Sequence, residues 1–189
     1  MKKFSFKEVG VPAIVLFLIA AICTAILAVT NNVTLPKIEE NNRQAEIKSR
    51  QIVFADAESF SDVKKAGDKE YVEALDADGK VIGYVFTTSS AKGYGGEIKI
   101  MTGVSATGKV TGIEILSIEE TAGLGMNAKK DTFKNQYVGS SGLFNVVKSN
   151  PGENEIQALT GATITSNAVT EAVNEALEIY KTVVTGGGK

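Results

Sequence analysis

The stretch from Tyr71 to Phe86, YVEALDADGKVIGYVF, decides the fold class. Residues 71–75 and 81–86 are rich in β-branched and aromatic side chains and flank Asp78-Gly79. That dipeptide closes hairpins because both of its positions tolerate positive φ. A second pair of runs, 97–104 and 110–116, flanks Ala106-Thr107-Gly108-Lys109 and alternates in part. The glycine-rich segment Lys92-Gly93-Tyr94-Gly95-Gly96 joins the two pairs. Consecutive hairpins predict an antiparallel sheet.

Working outward toward the C-terminus, Val169, Ala172, Val173, Ala176, Leu177, Tyr180, Val183 and Val184 fall on one stripe at helical spacing. This predicts a helix packed on the sheet, capped by Thr165, Ser166 or Asn167 and closed by Gly186-Gly187-Gly188. Residues 56–68 read as loop. The fold class is α+β.

Toward the N-terminus, residues 9–36 carry no charge, and Val11 to Val29 reads VPAIVLFLIAAICTAILAV. That is about the ~20 apolar residues a helix needs to cross a bilayer. A signal peptide has a shorter apolar run of roughly 7–15 residues. Lys2, Lys3 and Lys7 precede the span and no basic residue follows before Lys37. The positive-inside rule therefore expects a cytoplasmic N-terminus and an extracytoplasmic remainder. Leu35-Pro36 is expected to break the helix or to begin the next one. A stalk helix follows, with Ile38, Ala45 and Ile52 as its thin apolar seam. The expected organisation is residues 1–8 in the cytoplasm, 9–30 in the membrane, 31–55 as stalk and 56–189 as an extracytoplasmic domain.

Composition removes many chemistries. The 189 residues include no histidine, and Cys23 is the only cysteine. No Ser-His-Asp or Cys-His nucleophile and no internal disulfide can be built. Zinc fingers, four-ligand iron–sulfur clusters and CxxCH haem sites are excluded as well. No acidic cluster has the ligand spacing of a calcium loop, so no metal site and no catalytic residue is expected. Three of the 20 basic and one of the 22 acidic residues precede Lys37, which leaves 17 against 21, a net of −4, for the remainder. A mildly acidic domain with no basic stripe is a poor partner for nucleic acid.

The segment before the last helix is Leu159-Thr160-Gly161-Ala162-Thr163-Ile164-Thr165-Ser166-Asn167. Hydroxyls and a glycine at a helix start suit a phosphate, because free N–H groups and the positive end of the helix dipole meet there. The same residues also serve as an ordinary cap with a tight turn, and composition alone does not choose between the two.

Thr160-Gly161-Ala162-Thr163-Ile164-Thr165 resembles the [ST]-G-A-[ST]-x-[ST] flavinylation motif of FMN-binding domains. Glu120-Thr121-Ala122-Gly123-Leu124-Gly125, with Phe133 and Gln136 after it, resembles the E-T-P-G-L-G…F…Q segment of the same family, and residues 92–96 resemble its K-G-Y-G/S-G stretch. With the anchor and stalk, the chain is similar to the G subunit of Rnf-type electron-transport complexes. It is less closely similar to the C subunit of the sodium-pumping NADH:quinone oxidoreductase.

The resemblance implies FMN joined through its phosphate to the hydroxyl of Thr163, with Thr160, Gly161, Ala162 and Thr165 around the attachment point. It implies a flavin bed from Tyr94, Glu120, Thr121, Gly123, Leu124 and Gly125. The implied partners are the other membrane subunits of an ion-translocating ferredoxin:NAD oxidoreductase and a flavin transferase that uses FAD and a metal ion. Three positions depart from the family pattern: Ala122 stands for a proline, Ile118 for a histidine and Gln157 for an aspartate. A flavin carrier serving another reductase and an anchored binding domain without flavin are the competing readings.

Overall fold

The computed structural model describes residues 6–67 and 69–186, and the chain divides into two units, Met1–Gln44 and Ala45–Lys189. Helix α1, Phe6–Val53, begins in the first unit and ends in the second. It passes through Leu35-Pro36 without interruption, contrary to the expected break. A proline removes one backbone donor, and here the good helix formers that follow it, among them Lys37, Arg43, Gln44 and Ala45, carry the helix on. Thr34 Oγ1 also bonds back to the carbonyls of Thr30 and Asn31 within that turn. Its stretch from Val9 onward is long and apolar enough to span a membrane. The apolar side chains there, Leu16, Phe17, Leu27 and Val33 among them, are exposed.

In the second unit, six strands form one sheet: β1 (Ser59–Phe60), β2 (Lys64–Ala66), β3 (Lys69–Leu75), β4 (Val81–Ser90), β5 (Ile98–Ser105) and β6 (Val110–Ser117). The order is β1-β3-β4-β5-β6, with β2 also pairing β3, and every pairing is antiparallel. Both expected hairpins form at their expected turns. The region expected to be loop holds β1 and β2, which are too short to show alternation.

The expected seam on the stalk is not buried: Ile38, Ala45 and Ile52 are exposed. The helix docks instead through its end, where Ser49 and Val53 are buried. Its backbone rests on a glycine pair, since Gly103 of β5 lies opposite Gly112 of β6. A Cβ on Gly103 would sit 2.4 Å from the Val53 carbonyl oxygen, which accepts a 2.6 Å hydrogen bond from Thr111 Oγ1. Phe54, Ala57, Val72, Ala74, Val85 and Met101 complete a small core with Val53 on this face.

The opposite face carries the main core under helix α3, Thr163–Gly186. The predicted stripe is largely what packs. Val169, Ala172, Val173, Ala176 and Leu177 are buried, whereas Val184 is exposed. The helix starts at Thr163, before all three expected caps. Between the sheet and α3 lie a 3₁₀ turn (Gly125–Lys129), the short helix α2 (Asp131–Lys134) and a second 3₁₀ turn (Asn135–Tyr137). A parallel two-stranded ladder, β7 (Asn145–Val147) with β8 (Glu155–Gln157), completes the unit. Asn150 and Asn154 take φ of 52° and 56° in the loop that lets two such short strands run the same way.

Candidate functional site

Three connections meet at the start of α3. The first is the turn leading into the helix. Ala162 N–H donates to the Leu159 carbonyl at 2.9 Å, with Gly161 between them at φ +74°. Glycine takes that conformation without steric cost. Ser166 locks the turn from inside: its hydroxyl accepts the Leu159 N–H and donates to the Ala162 carbonyl, both at 3.0 Å.

Buried hydroxyls continue this network. Thr170 Oγ1 donates to the Ser166 carbonyl at 2.9 Å, which commits its only hydrogen. The 2.8 Å contact between Tyr137 and Thr170 is therefore a donation from the phenol. Burial pushes the Tyr137 phenol well above its ordinary range, and the hydrogen bond to Thr170 opposes this in part.

The second connection is the loop after β6. Leu124 N–H donates to the Thr121 carbonyl at 3.1 Å, and Asn127 Nδ2 donates to the Gly123 carbonyl at 2.6 Å. Gly123, at φ +79°, supplies the reversal. Gly125 follows, where a Cβ would lie 2.7 Å from both Glu120 Oε2 and Thr165 Oγ1. The third connection is the glycine-rich loop. Its Tyr94 N–H donates to Glu120 Oε1 at 2.8 Å.

These segments enclose a cavity of 510 Å³ lined by Tyr94, Glu120, Thr121, Leu124, Gly125, Gly161, Ala162, Thr163, Ile164 and Thr165. The size is in the range of cofactor pockets, roughly 300–1,000 Å³. Nine of these ten lining residues are among the expected site residues; Ile164, the variable position of the six-residue motif, was not singled out. Two expected residues lie elsewhere. Gly123 shapes the second connection without lining the cavity, and Thr160 faces a separate depression with Gln136 and Gln157.

The three hydroxyls of the motif are thus sorted by geometry. Thr165 is buried, Thr160 points to another surface, and Thr163 is exposed on the cavity. Leu124, Ile164 and Tyr94 give the cavity an exposed apolar rim. Its one charged lining residue is Glu120, so an anion there would be met by the backbone donors of the first turn of α3. A flavin phosphate at the helix start with its ring against Leu124, Ile164 and Tyr94 fits this donor set and shape.

The departures from the family pattern have local consequences. Ile118 is buried within the main core, so apolar packing replaces any polar contact there. Gln157 is tied through its backbone: its N–H donates to Gln136 Oε1 at 2.7 Å. Ala122 is exposed in the loop.

The fold and site define an FMN-binding domain: the model described by that name matches residues 93–178, which take in all three cavity-lining segments. A second model, the RnfG N-terminal region, matches residues 1–51. The G subunit of the Na(+)-translocating ferredoxin:NAD(+) oxidoreductase complex of Acetobacterium woodii is 38% identical, over 95% of each chain. The G subunit of the proton-translocating complex of Clostridium ljungdahlii is 39% identical, over 86% of this chain and 85% of that one. The chain belongs to the G-subunit family of ion-translocating oxidoreductase (Rnf) complexes.

Among solved structures, the C subunit of the Na(+)-translocating NADH-quinone reductase from Parabacteroides distasonis matches with a TM-score of 0.50 and 26% identity, covering 61% of this chain and 63% of that one. Shewanella oneidensis NqrC shares the fold, with a TM-score of 0.51 at 20% identity over 66% of this chain and 67% of that one.

The buried phenol makes a pH prediction. Because the folded state raises the pKa of Tyr137, the associated stability is complete below the unfolded value near 10 and is lost as pH rises above it. Unfolding free energies from urea titrations of the full chain in detergent should fall more steeply between roughly pH 10 and 12 than those of Tyr137→Phe, at up to about 1.4 kcal/mol per pH unit. Parallel losses in both proteins would contradict it.

Proposed function

We propose that this subunit holds FMN covalently, through a phosphoester to Thr163 Oγ1, and passes electrons between membrane partners of an ion-translocating ferredoxin:NAD oxidoreductase. The observation that carries the reading is the position of the Thr163 hydroxyl: exposed, on the cavity, in the first turn of α3. Backbone donors of that turn would hold the phosphate oxygens, and Leu124, Ile164 and Tyr94 would hold the ring. FMN supplies the electron-carrying chemistry. The chain supplies position, an apolar bed and the local field.

A threonine hydroxyl is a weak nucleophile, and the chain has no histidine to activate it. Attachment by a separate flavin transferase is therefore part of the proposal: the pyrophosphate bond of FAD breaks, its FMN half joins Thr163 Oγ1, the hydroxyl proton is lost and AMP leaves. So is the orientation: α1 anchors the chain once, with the N-terminus in the cytoplasm and the domain outside, on the strength of three lysines before the span and none directly after it.

Two experiments test these points. Coexpressed with a flavin transferase, the wild type should show flavin fluorescence that survives denaturing electrophoresis, and peptide mass spectrometry should find the FMN mass on Thr163. Thr163→Val should abolish it and Thr163→Ser should keep it. Stability should change by no more than about 0.5 kcal/mol, as expected for an exposed site. FMN on Thr160, or a wild type with no bound flavin, would defeat the assignment. For orientation, protease added to intact spheroplasts should digest the chain beyond Lys37; digestion confined to inverted vesicles would reverse the topology.

A further inference from the structure

We infer that Glu120 is a positioning residue: its carboxylate clasps the glycine-rich loop and thereby sets the Tyr94 ring at the mouth of the cavity. The inference rests on the proposal that the cavity holds FMN, and it concerns how the chain presents one wall of that site. Glu120 Oε1 accepts the Tyr94 N–H at 2.8 Å and the Gly95 N–H at 3.4 Å. The second carboxylate oxygen lies against Gly125. Among the described residues no cation pairs with this carboxylate. Its acceptor capacity is directed to backbone donors, and such charge-assisted bonds are the stronger kind.

The fit on both sides depends on missing side chains. A Cβ on Gly95 would lie 1.6 Å from the Glu119 carbonyl oxygen, and one on Gly93 would lie 3.0 Å from Glu120 Oε1. The loop therefore sits flush on the Glu119 backbone at Gly95, where only glycine fits, while Gly93 is needed against the loop's own Gly96 carbonyl, 2.3 Å from where its Cβ would be. The tether at the start of the loop differs in kind. Lys92 and Ser90 bind Glu171 at 2.5 and 2.8 Å, but Lys92 is 76% exposed and water screens the pair.

Among the described residues the Tyr94 side chain makes no hydrogen bond, so its backbone is what the clasp holds. The residue is 75% exposed, and its ring stacks on no other ring among the described residues. Its place over the cavity follows from where its backbone is held. Glu120 thus acts on the flavin wall through Tyr94.

The test compares acceptor reach with charge. Glu120→Gln keeps an oxygen at the same distance and removes the charge, whereas Glu120→Asp keeps the charge and withdraws it by one methylene. Hydrogen exchange is measured on the full chain in detergent, without flavin, at the amides of Tyr94 and Gly95. Glu120→Ala and Glu120→Asp should accelerate exchange about 10- to 100-fold, the range given by losing one such bond. Glu120→Gln, which keeps the reach and loses the charge assistance, should fall between those variants and the wild type.

A second readout uses flavin-loaded protein. A tyrosine ring against a flavin quenches its emission, so Ala and Asp at position 120 should brighten the flavin toward the level of Tyr94→Leu, with Gln again intermediate. Unchanged exchange in both Ala and Asp variants would overturn the clasp. So would the reverse order, with Gln behaving like Ala and Asp like the wild type, because charge and not reach would then govern. Faster exchange with unchanged emission would overturn the placement of Tyr94. If Ala fails to fold, the Asp and Gln pair decides. A wild type that takes up no flavin would defeat the functional proposal while leaving the exchange result on the clasp intact.

Discussion

The site depends on one constraint: the first turn of α3 must lie where the chain leaves β8, over the face of the sheet. Burial of the apolar stripe on β4 and β5 fixes the helix as a body. Thr88 Oγ1 adds a 2.8 Å bond to the Ala172 carbonyl across that contact. The stripe alone would leave the first turn free to fray. Ser166 and Thr170 prevent this by committing their hydroxyls to the backbone carbonyls of Ala162 and Ser166, with Tyr137 bonded to Thr170 behind them. Buried polar groups of this kind are costly when unpaired and rigidifying when fully paired. The result is an exposed threonine on a stiff support.

Polar groups are used differently on the two sides of the cavity. On the α3 side, hydroxyls turn inward to hold the helix start and leave Thr163 facing out. On the loop side, a carboxylate gathers backbone donors of the glycine-rich segment. Glycine permits the close contact on that side, and side-chain wall is contributed by Glu120, Thr121, Leu124 and Tyr94. For the proposed flavin, this gives a firm attachment point at one end and a wall on a tethered loop at the other. That division suits a carrier whose ring must be reached by partners.

Much of this was legible in the sequence because its signals are local. The Asp78-Gly79 hairpin, the second hairpin and the stripe Val169–Ala172–Val173–Ala176–Leu177 each depend on neighbours within one element. The six-residue motif brought attention to Thr163 for the same reason. What escaped depends on distant residues. The end of α1 is received by Gly103 and Gly112, which no periodicity in the stalk reveals. Strands β7 and β8 have three residues each, too few for a pattern, and the loop between them carries two asparagines at positive φ. The early start of α3 follows from Ser166 bonding backward where a forward cap was expected. Thr160 and Thr165 stand beside Thr163 in the motif, yet one faces another depression and the other is buried.

Phosphorus NMR separates a flavin joined to Thr163 by a phosphoester from one held without the bond. A phosphate monoester titrates with a second pKa near ~6, whereas the phosphodiester formed on threonine has no such ionisation. The flavin-loaded protein should show a phosphorus resonance whose position is constant from roughly pH 5 to 8 and which is missing from Thr163→Val. A resonance that shifts through that interval, or one that persists in Thr163→Val, would mean that the flavin is held without the bond.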